Sequence, residues 1–567
     1  MKKLTDVYHK ATESKITLII NAVLGLSALL IYLSAHTVLG FIGYATFTAM
    51  PYILGVLFAA GAVVALVLLF YKNQKVVLTV SFIWNALAFC FSAGYFIGFV
   101  SHYKTFLLEG AKILAVYAFI AAITYLAFFH GDANYRGKKI VAGILCAVLV
   151  LGGLLFTDLD TLRINYIDGE PAVFAVEDDY QIVWTTAVKG SGWVEIDGVS
   201  YYDEYAGQKR TSERVHKVTV PQSALDESKR YSINSKAMLS EQGFSGLSGY
   251  TVKKSYSFRP VDVTDGIQAY VIADTHDFIN SAVKAASYYG DKTDFIVMAG
   301  DHVNYLNDSS SQNRILELAH RASNGSVPIV FARGNHELKC EYSESLHRYV
   351  GSQNEKFYYT FRLKNVWGVV LDMGEDHEDE WKEFYNTALY EDYRKDQIAF
   401  LDKIIADKAD EYEADGVEYK IGVCHVPTSF ISYKRTYMFE SLVAINERLN
   451  EIGLDAMLSG HLHEVFLTEP GYEAGRPLFY RAEYTGESND DTPDCLATGA
   501  HYPNLICGRR AHTLSSGKES AIGYEYTGTA IEFLSDGKYA RFTTKNKQIL
   551  YSISPFENKE YGKIMEL

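Results

Sequence analysis

Seven side chains able to bind divalent metals recur in five short motifs spread between Asp274 and His463. The motifs read Asp274-Thr275-His276, Gly300-Asp301-His302-Val303-Asn304, Gly334-Asn335-His336-Glu337, the lone His425, and Gly460-His461-Leu462-His463. Asp274 and His276 are two apart, and on an extended chain such positions share a face, so a carboxylate and an imidazole can close on one ion. Oxygen and imidazole donors without thiolates favour manganese, iron or zinc over copper(I) or an iron–sulfur cluster. Seven donors exceed what one ion needs, which points to a pair. Two such ions, about 3.5–4 Å apart, can activate a water and steady the leaving oxygen of an in-line displacement.

The elements that must position these residues are legible around them. Asp274 closes the apolar run Ala269-Tyr270-Val271-Ile272-Ala273, and Asp301 closes Phe295-Ile296-Val297-Met298-Ala299. Asn335 follows Ile329-Val330-Phe331-Ala332, His425 ends Ile421-Gly422-Val423-Cys424, and His461 ends Ala456-Met457-Leu458-Ser459. Buried strands of an open α/β sheet gather their carboxyl ends at one rim, where such folds place their sites. Glycines at 300, 334 and 460 suit tight strand-to-loop turns. Helices are expected near 278–289, 311–323, 394–407 and 440–452, giving a β-α alternation from residue 265 onward.

In order and spacing, the five motifs resemble those of the calcineurin-like metallophosphoesterase family over roughly residues 265–470. The resemblance implies an α/β metallophosphoesterase sandwich hydrolysing phosphomonoesters or phosphodiesters with two divalent metal ions (manganese, iron or zinc). It implies Asp274, His276 and His463 on the first ion, Asn335, His425 and His461 on the second, and Asp301 between them. His336 would be unmetalled and catalytic, protonating the leaving group or steadying the phosphoryl oxygens. Arg333 and Asn304 are candidate substrate contacts, Arg333 because guanidinium matches phosphate bidentately. A structural pairing of Arg333 is an equal alternative. Purple acid phosphatases, a related branch, carry a tyrosine three residues after the bridging aspartate. Here that position is Asn304, and Tyr305 stands one place late. A one-residue slip on an extended segment turns a side chain to the opposite face, so a colourless centre is expected rather than a tyrosinate-bound purple one.

Before residue 160 the composition changes. Apolar stretches run over 16–35, 52–71, 76–100, 111–129 and 140–156, each near the ~20 residues that span a hydrocarbon core. They predict a membrane region of about five helices over 1–160. Nine Lys and Arg flank these stretches on the amino-terminal side against two on the other. Positive charge stays inside, which predicts a multi-pass protein of the cell membrane. Its amino terminus would be cytoplasmic and its catalytic domain extracytoplasmic.

Residues 165–258 show short β-like runs between polar turns and predict a β-sandwich spacer of fibronectin III or Ig type. The phosphoesterase domain is expected over 265–567, with 470–520 a candidate lid loop. Thr529–Phe533 and Tyr539–Phe542 read as closing strands. Cys495 and Cys507 are spaced so that pairing is open. The formal net charge of −15 argues against nucleic acid as a partner, since phosphate backbones demand a basic footprint. It leaves room for a phosphorylated small molecule or a lipid-linked substrate, because divalent ions reverse the field locally. Two other functions compete: a receptor or transport protein that binds phosphate ligands without hydrolysis, and a lipid-linked diphosphate hydrolase.

Overall fold

The computed structural model describes residues 166–242, 245–479, 493–509, 525–554, 556, 560–562 and 564–567. The five apolar stretches lie outside these residues. Among the described residues no helix is long and apolar enough to cross a membrane. By contacts the chain divides into Met1–Asn165 with Ala237–Tyr250, and Tyr166–Lys236 with Thr251–Leu567. The second unit carries the motifs.

Two sheets organise it. In the first, strands β1 (Ile167–Val176), β2 (Asp179–Ile196), β3 (Glu213–Pro221), β4 (Ile267–Ile272), β5 (Phe295–Ala299) and β6 (Ile329–Ala332) are joined by two late strands. In the second, β7 (Tyr359–Leu363), β8 (Val366–Leu371), β9 (Tyr419–Cys424), β10 (Ala456–Ser459), β11 (Phe466–Thr468) and β12 (Asn504–Ile506) run in the order β7-β8-β9-β10-β12-β11. The closing strands β13 (Thr527–Leu534) and β14 (Gly537–Thr544) return to the first sheet, where β13 lies antiparallel to β4. Strands β4, β5 and β6 are mutually parallel, as are β8, β9, β10 and β12.

Parallel strands are buried on both faces and need apolar runs; β5 and β6 are wholly buried. Helices α1 (Ile279–Ala286) and α2 (Ser309–Ser323) pack on one face of the first sheet, against Tyr270, Ile272, Ile296 and Met298. Helices α3 (Tyr390–Ala406) and α4 (Phe439–Ile452) cover Val369, Leu371 and Met457 of the second. The alternate residues Val271, Val297 and Val330 are equally buried and face inward, toward the other sheet. Tyr359 of β7 hydrogen-bonds the Phe331 carbonyl of β6 at 2.7 Å, tying sheet to sheet. Helix α2 begins at Asp308, whose carboxylate accepts from Ser311 N at 2.9 Å, an N-cap worth about 1 kcal/mol.

The separate β-sandwich expected over 165–258 is replaced by a continuation of the central sheet. Strand β1 pairs parallel with β6, Phe174 opposite Ile329, and β2 pairs with both β1 and β3. Phe174, Val183 and Val215 sit in the same apolar cluster as β4–β6. The buried face of β1 and β2 therefore continues that of β4–β6 and shares its cover by helices α1 and α2. The candidate lid is also partly core. Asn504–Ile506 is strand β12 inside the second sheet, and Cys495–Ala497 is a short strand beside Phe430–Ser432. Residues 480–492 and 510–524 lie outside the described ones. Cys495 and Cys507 are both buried and free, so no disulfide joins them.

Candidate metal centre

All five motifs sit at carboxyl ends of parallel strands, three on the first sheet and two on the second, and face one another across the joint rim. The turns there are strained. Asp274, His276, Asp301, His461 and His463 have φ of 51°, 44°, 55°, 75° and 56°, a left-handed region that costs a non-glycine residue about 1–3 kcal/mol. Gly300 (φ 88°) lies so close to His425 that a Cβ there would come within 2.5 Å of its Nδ1. A Cβ on Gly460 would come within 2.8 Å of Asp274 Oδ2.

Asp274, His276, Asp301 and His463 bring ligand atoms within 4.8 Å of one another. His276 Nε2 faces His463 Nε2 at 2.9 Å and Asp301 Oδ2 at 3.7 Å. His463 Nε2 is 3.5 Å from Asp274 Oδ1. On the other side of Asp301, His425 Nε2 lies 3.1 Å from its Oδ2 and 3.2 Å from Asn335 Oδ1. His461 Nδ1 is 3.3 Å from the same Asn335 oxygen. All seven predicted ligands thus converge, in two groups that meet at Asp301.

The hydrogen bonds around the cluster fix where protons are. His425 Nδ1–H donates to the Ala299 carbonyl at 2.8 Å, leaving the Nε2 lone pair inward. Asn304 Nδ2 donates to Asp277 at 2.6 Å, so its Oδ1 accepts from His276 Nδ1 at 3.2 Å and His276 Nε2 is likewise bare. Asn335 Nδ2 donates to Glu375 at 2.9 Å, turning Oδ1 inward. His461 Nε2 donates to Asp376 at 3.1 Å, leaving Nδ1 inward. Asp274 Oδ1 accepts from His461 N at 3.0 Å, whereas its fully buried Oδ2 has no hydrogen-bond partner among the described residues. Converging lone pairs and an orphaned carboxylate oxygen are what a cation site requires, because a buried unpaired acceptor otherwise costs about 1–3 kcal/mol. The donor set fits divalent ions.

Electrostatics point the same way. Burial raises Asp274 to about 7, opposed by His425 and reinforced by the charge on Asp301. Against burial, Asp301 lifts His425 to about 10, and His425 and His336 in turn hold Asp301 well below the usual carboxylate range. A proton on His425 hydrogen-bonds Asp301 and reaches Asp274 only through its charge; a cation between the groups would also give Asp274 Oδ2 a direct partner.

Residues 267–465 match the family model described as calcineurin-like phosphoesterase. This segment is a calcineurin-like phosphoesterase domain. The chain is accordingly a metal-dependent phosphoester hydrolase. Among solved structures the phosphoesterase resembles a purple acid phosphatase, PPD1, from yellow lupin (Lupinus luteus) seeds, at 12% identity and TM-score 0.40, covering 67% of this chain and 72% of that one. It also resembles PhoD, at 10% identity and TM-score 0.36, covering 71% and 93%. No curated protein matches the chain.

The remaining predicted residues of the phosphoesterase divide. His336 stands at the mouth with its side chain 22% exposed and Nε2 4.0 Å from Asp301 Oδ2. Its Nδ1–H donates to the Asn304 carbonyl at 2.7 Å. Tyr305, half-exposed, has its ring 5.8 Å from that of His336. Arg333 is not directed at the site. Its guanidinium pairs with Asp372 through Nε (2.8 Å) and Nη2 (2.6 Å) and lies 4.2 Å from the Phe357 ring centroid. Its bidentate capacity is taken by a carboxylate already inside the fold. Asn304, expected to touch substrate, has its amide engaged by His276 and Asp277 instead and orients those side chains.

Glu337 is the functional residue that sequence reasoning passed over. Fully buried, its carboxylate accepts from the N–H groups of Asp301, His302, Val303 and Gly334. A glutamate next to His336 in a turn rich in buried N–H groups was the available signal. His302 is structural: burial lowers it to about 3, and its neutral ring bridges Gly300 N and Thr275.

Proposed function

We propose that the chain is a membrane-anchored phosphoesterase with a dinuclear centre, acting on phosphomonoesters or phosphodiesters outside the cell. The observation that carries the reading is the inward convergence of ligand-type atoms from seven residues around Asp301. Asp274, His276 and His463 would hold one ion, Asn335, His425 and His461 the other, with Asp301 shared. When bound, such ions supply Lewis acidity and an activated water.

The chain's own residues do the rest. Asp301 and Asp274 place two carboxylate charges at the base of the site, both fully buried. His336, fixed through Nδ1–H by Asn304, is partly exposed and holds Nε2 4.0 Å from Asp301 Oδ2. There it would donate a proton to the departing oxygen or a hydrogen bond to a phosphoryl oxygen. The anchor and the extracytoplasmic placement rest on the apolar stretches before residue 160 and the Lys/Arg asymmetry of their flanks. Those same stretches favour the second reading, hydrolysis of a lipid-linked diphosphate.

The test uses the full-length chain stripped with chelator and reloaded with manganese or zinc. Turnover of a generic aryl phosphate should vanish on stripping, return on loading, and be absent from Asp301→Asn. Turnover that survives in Asp301→Asn overturns the reading. Preference for a micellar diphosphate over soluble esters would select the lipid-linked alternative, and inertness towards all of them would select the receptor.

A further inference from the structure

We propose that the adjacent carboxylates Glu375 and Asp376 are the positioning residues of the second ion subsite, so that one short loop decides whether the centre holds one ion or two. This rests on the two-ion reading above and adds to it residues outside the five motifs.

Both lie on the loop after β8, and each grips a different ligand. Glu375 accepts from Asn335 Nδ2 at 2.9 Å. The two ends of an asparagine amide are nearly isosteric, so without that acceptor nothing in this contact prevents the NH2 group from turning inward and blocking the ion. Asp376 accepts from His461 Nε2 at 3.1 Å. That bond selects the tautomer whose Nδ1 is bare, the atom 3.3 Å from Asn335 Oδ1. One residue sets an amide and its neighbour sets an imidazole, both for the same ion.

Each carboxylate is balanced from outside. Lys339 lies 3.5 Å from Glu375 and 2.9 Å from Glu383, and Arg435 pairs with Asp376. The loop itself is pinned. Gly374 (φ 75°) donates its N–H to Asp372 at 3.0 Å, and Asp376 N donates to Glu375 at 3.0 Å. A Cβ on Gly374 would come within 2.6 Å of the Tyr390 ring. The first subsite is held by other groups: Asp274 by the His461 backbone N–H and His276 by Asn304. Outer carboxylates that orient a ligand imidazole typically carry a 10–100-fold share of metal affinity.

Manganese titration of chelator-stripped, full-length protein, followed by calorimetry and by electron paramagnetic resonance, tests this. Wild type should take two equivalents and show a spin-coupled pair. Asp376→Asn and Glu375→Gln should each weaken one equivalent by about 10–100-fold, leaving an uncoupled single-ion spectrum with the first equivalent bound as in wild type. That retained equivalent reports that the variant is folded. Two equivalents at wild-type affinity in both variants, or loss of both ions together, overturns the inference. Wild type binding fewer than two equivalents overturns the two-ion reading on which it rests.

Discussion

Glu337 accepts a hydrogen bond from the backbone N–H of Asp301 at 2.8 Å, through the same carboxylate oxygen that takes the Gly334 N–H at 2.9 Å. Its other oxygen takes the N–H groups of His302 at 2.6 Å and Val303 at 3.2 Å. One carboxylate therefore ties the loop after β5 to the turn after β6, and with them two of the motif-bearing segments.

Glu337→Gln should consequently destabilise the fold. The amide nitrogen would replace one acceptor and face two N–H groups, and each buried donor left unsatisfied costs about 1–3 kcal/mol. Chemical denaturation should show a loss of about 2–6 kcal/mol. Unchanged stability would mean that the carboxylate is not the anchor.

His336→Ala is expected to separate chemistry from metal binding. Its ring lies 4.7 Å from that of His276, but its Nδ1 is committed to Asn304 and its Nε2 stops 4.0 Å short of Asp301 Oδ2. Loss of a general acid should lower kcat by about 10²–10⁴-fold while metal content per chain stays at the wild-type level. A parallel loss of metal would place His336 among the ligands.

Arg333→Ala should act on stability rather than on substrate. Removing the guanidinium leaves Asp372 buried and unpaired, and breaking such a pair costs about 3–5 kcal/mol. Thermal unfolding should fall accordingly, with KM for a small phosphate ester unchanged. A rise in KM with stability intact would return Arg333 to the substrate.

Lys217 gives the fold a pH dependence away from the metal centre. Burial lowers its pKa from 10.5 to about 7, opposed by Asp203, and its ammonium donates to the His347 carbonyl and Ser352 Oγ at 2.9 and 2.7 Å. Between about pH 7 and 10.5 the unfolded chain keeps a proton that the folded chain has released. Unfolding then takes up a proton, so stability should rise with pH across that window. Below it both states are protonated and the full cost of the buried charge is present. Lys217→Met should flatten the rise, read as urea midpoints at pH 6.5, 8 and 9.5 (on the order of one per pH region). An unaltered slope would exclude Lys217 as its source.

The sequence by itself determined the five motifs and the strands that carry them. Each motif closes an apolar run, and a buried parallel strand needs such a run, so chemistry and element are written side by side. The predicted helices recur as α1–α4 with ends moved by a few residues, since their apolar periodicity is local too. What only the tertiary structure decided depends on partners far apart in the chain. Strands β1–β3 read as the short β runs of a sandwich, and nothing local says that Phe174 will lie opposite Ile329. Strand β12 is three residues long and is defined by Met457, Leu458 and Ser459 beside it. Arg333 has the type to meet a phosphate, and only folding brings Asp372 to it first. Glu375 and Asp376 look like part of an acidic surface loop until Asn335 and His461 arrive from two other strands. Side-chain type is carried by the residue, but burial and hydrogen-bond partnership are properties of the neighbours, and those exist only in the folded chain.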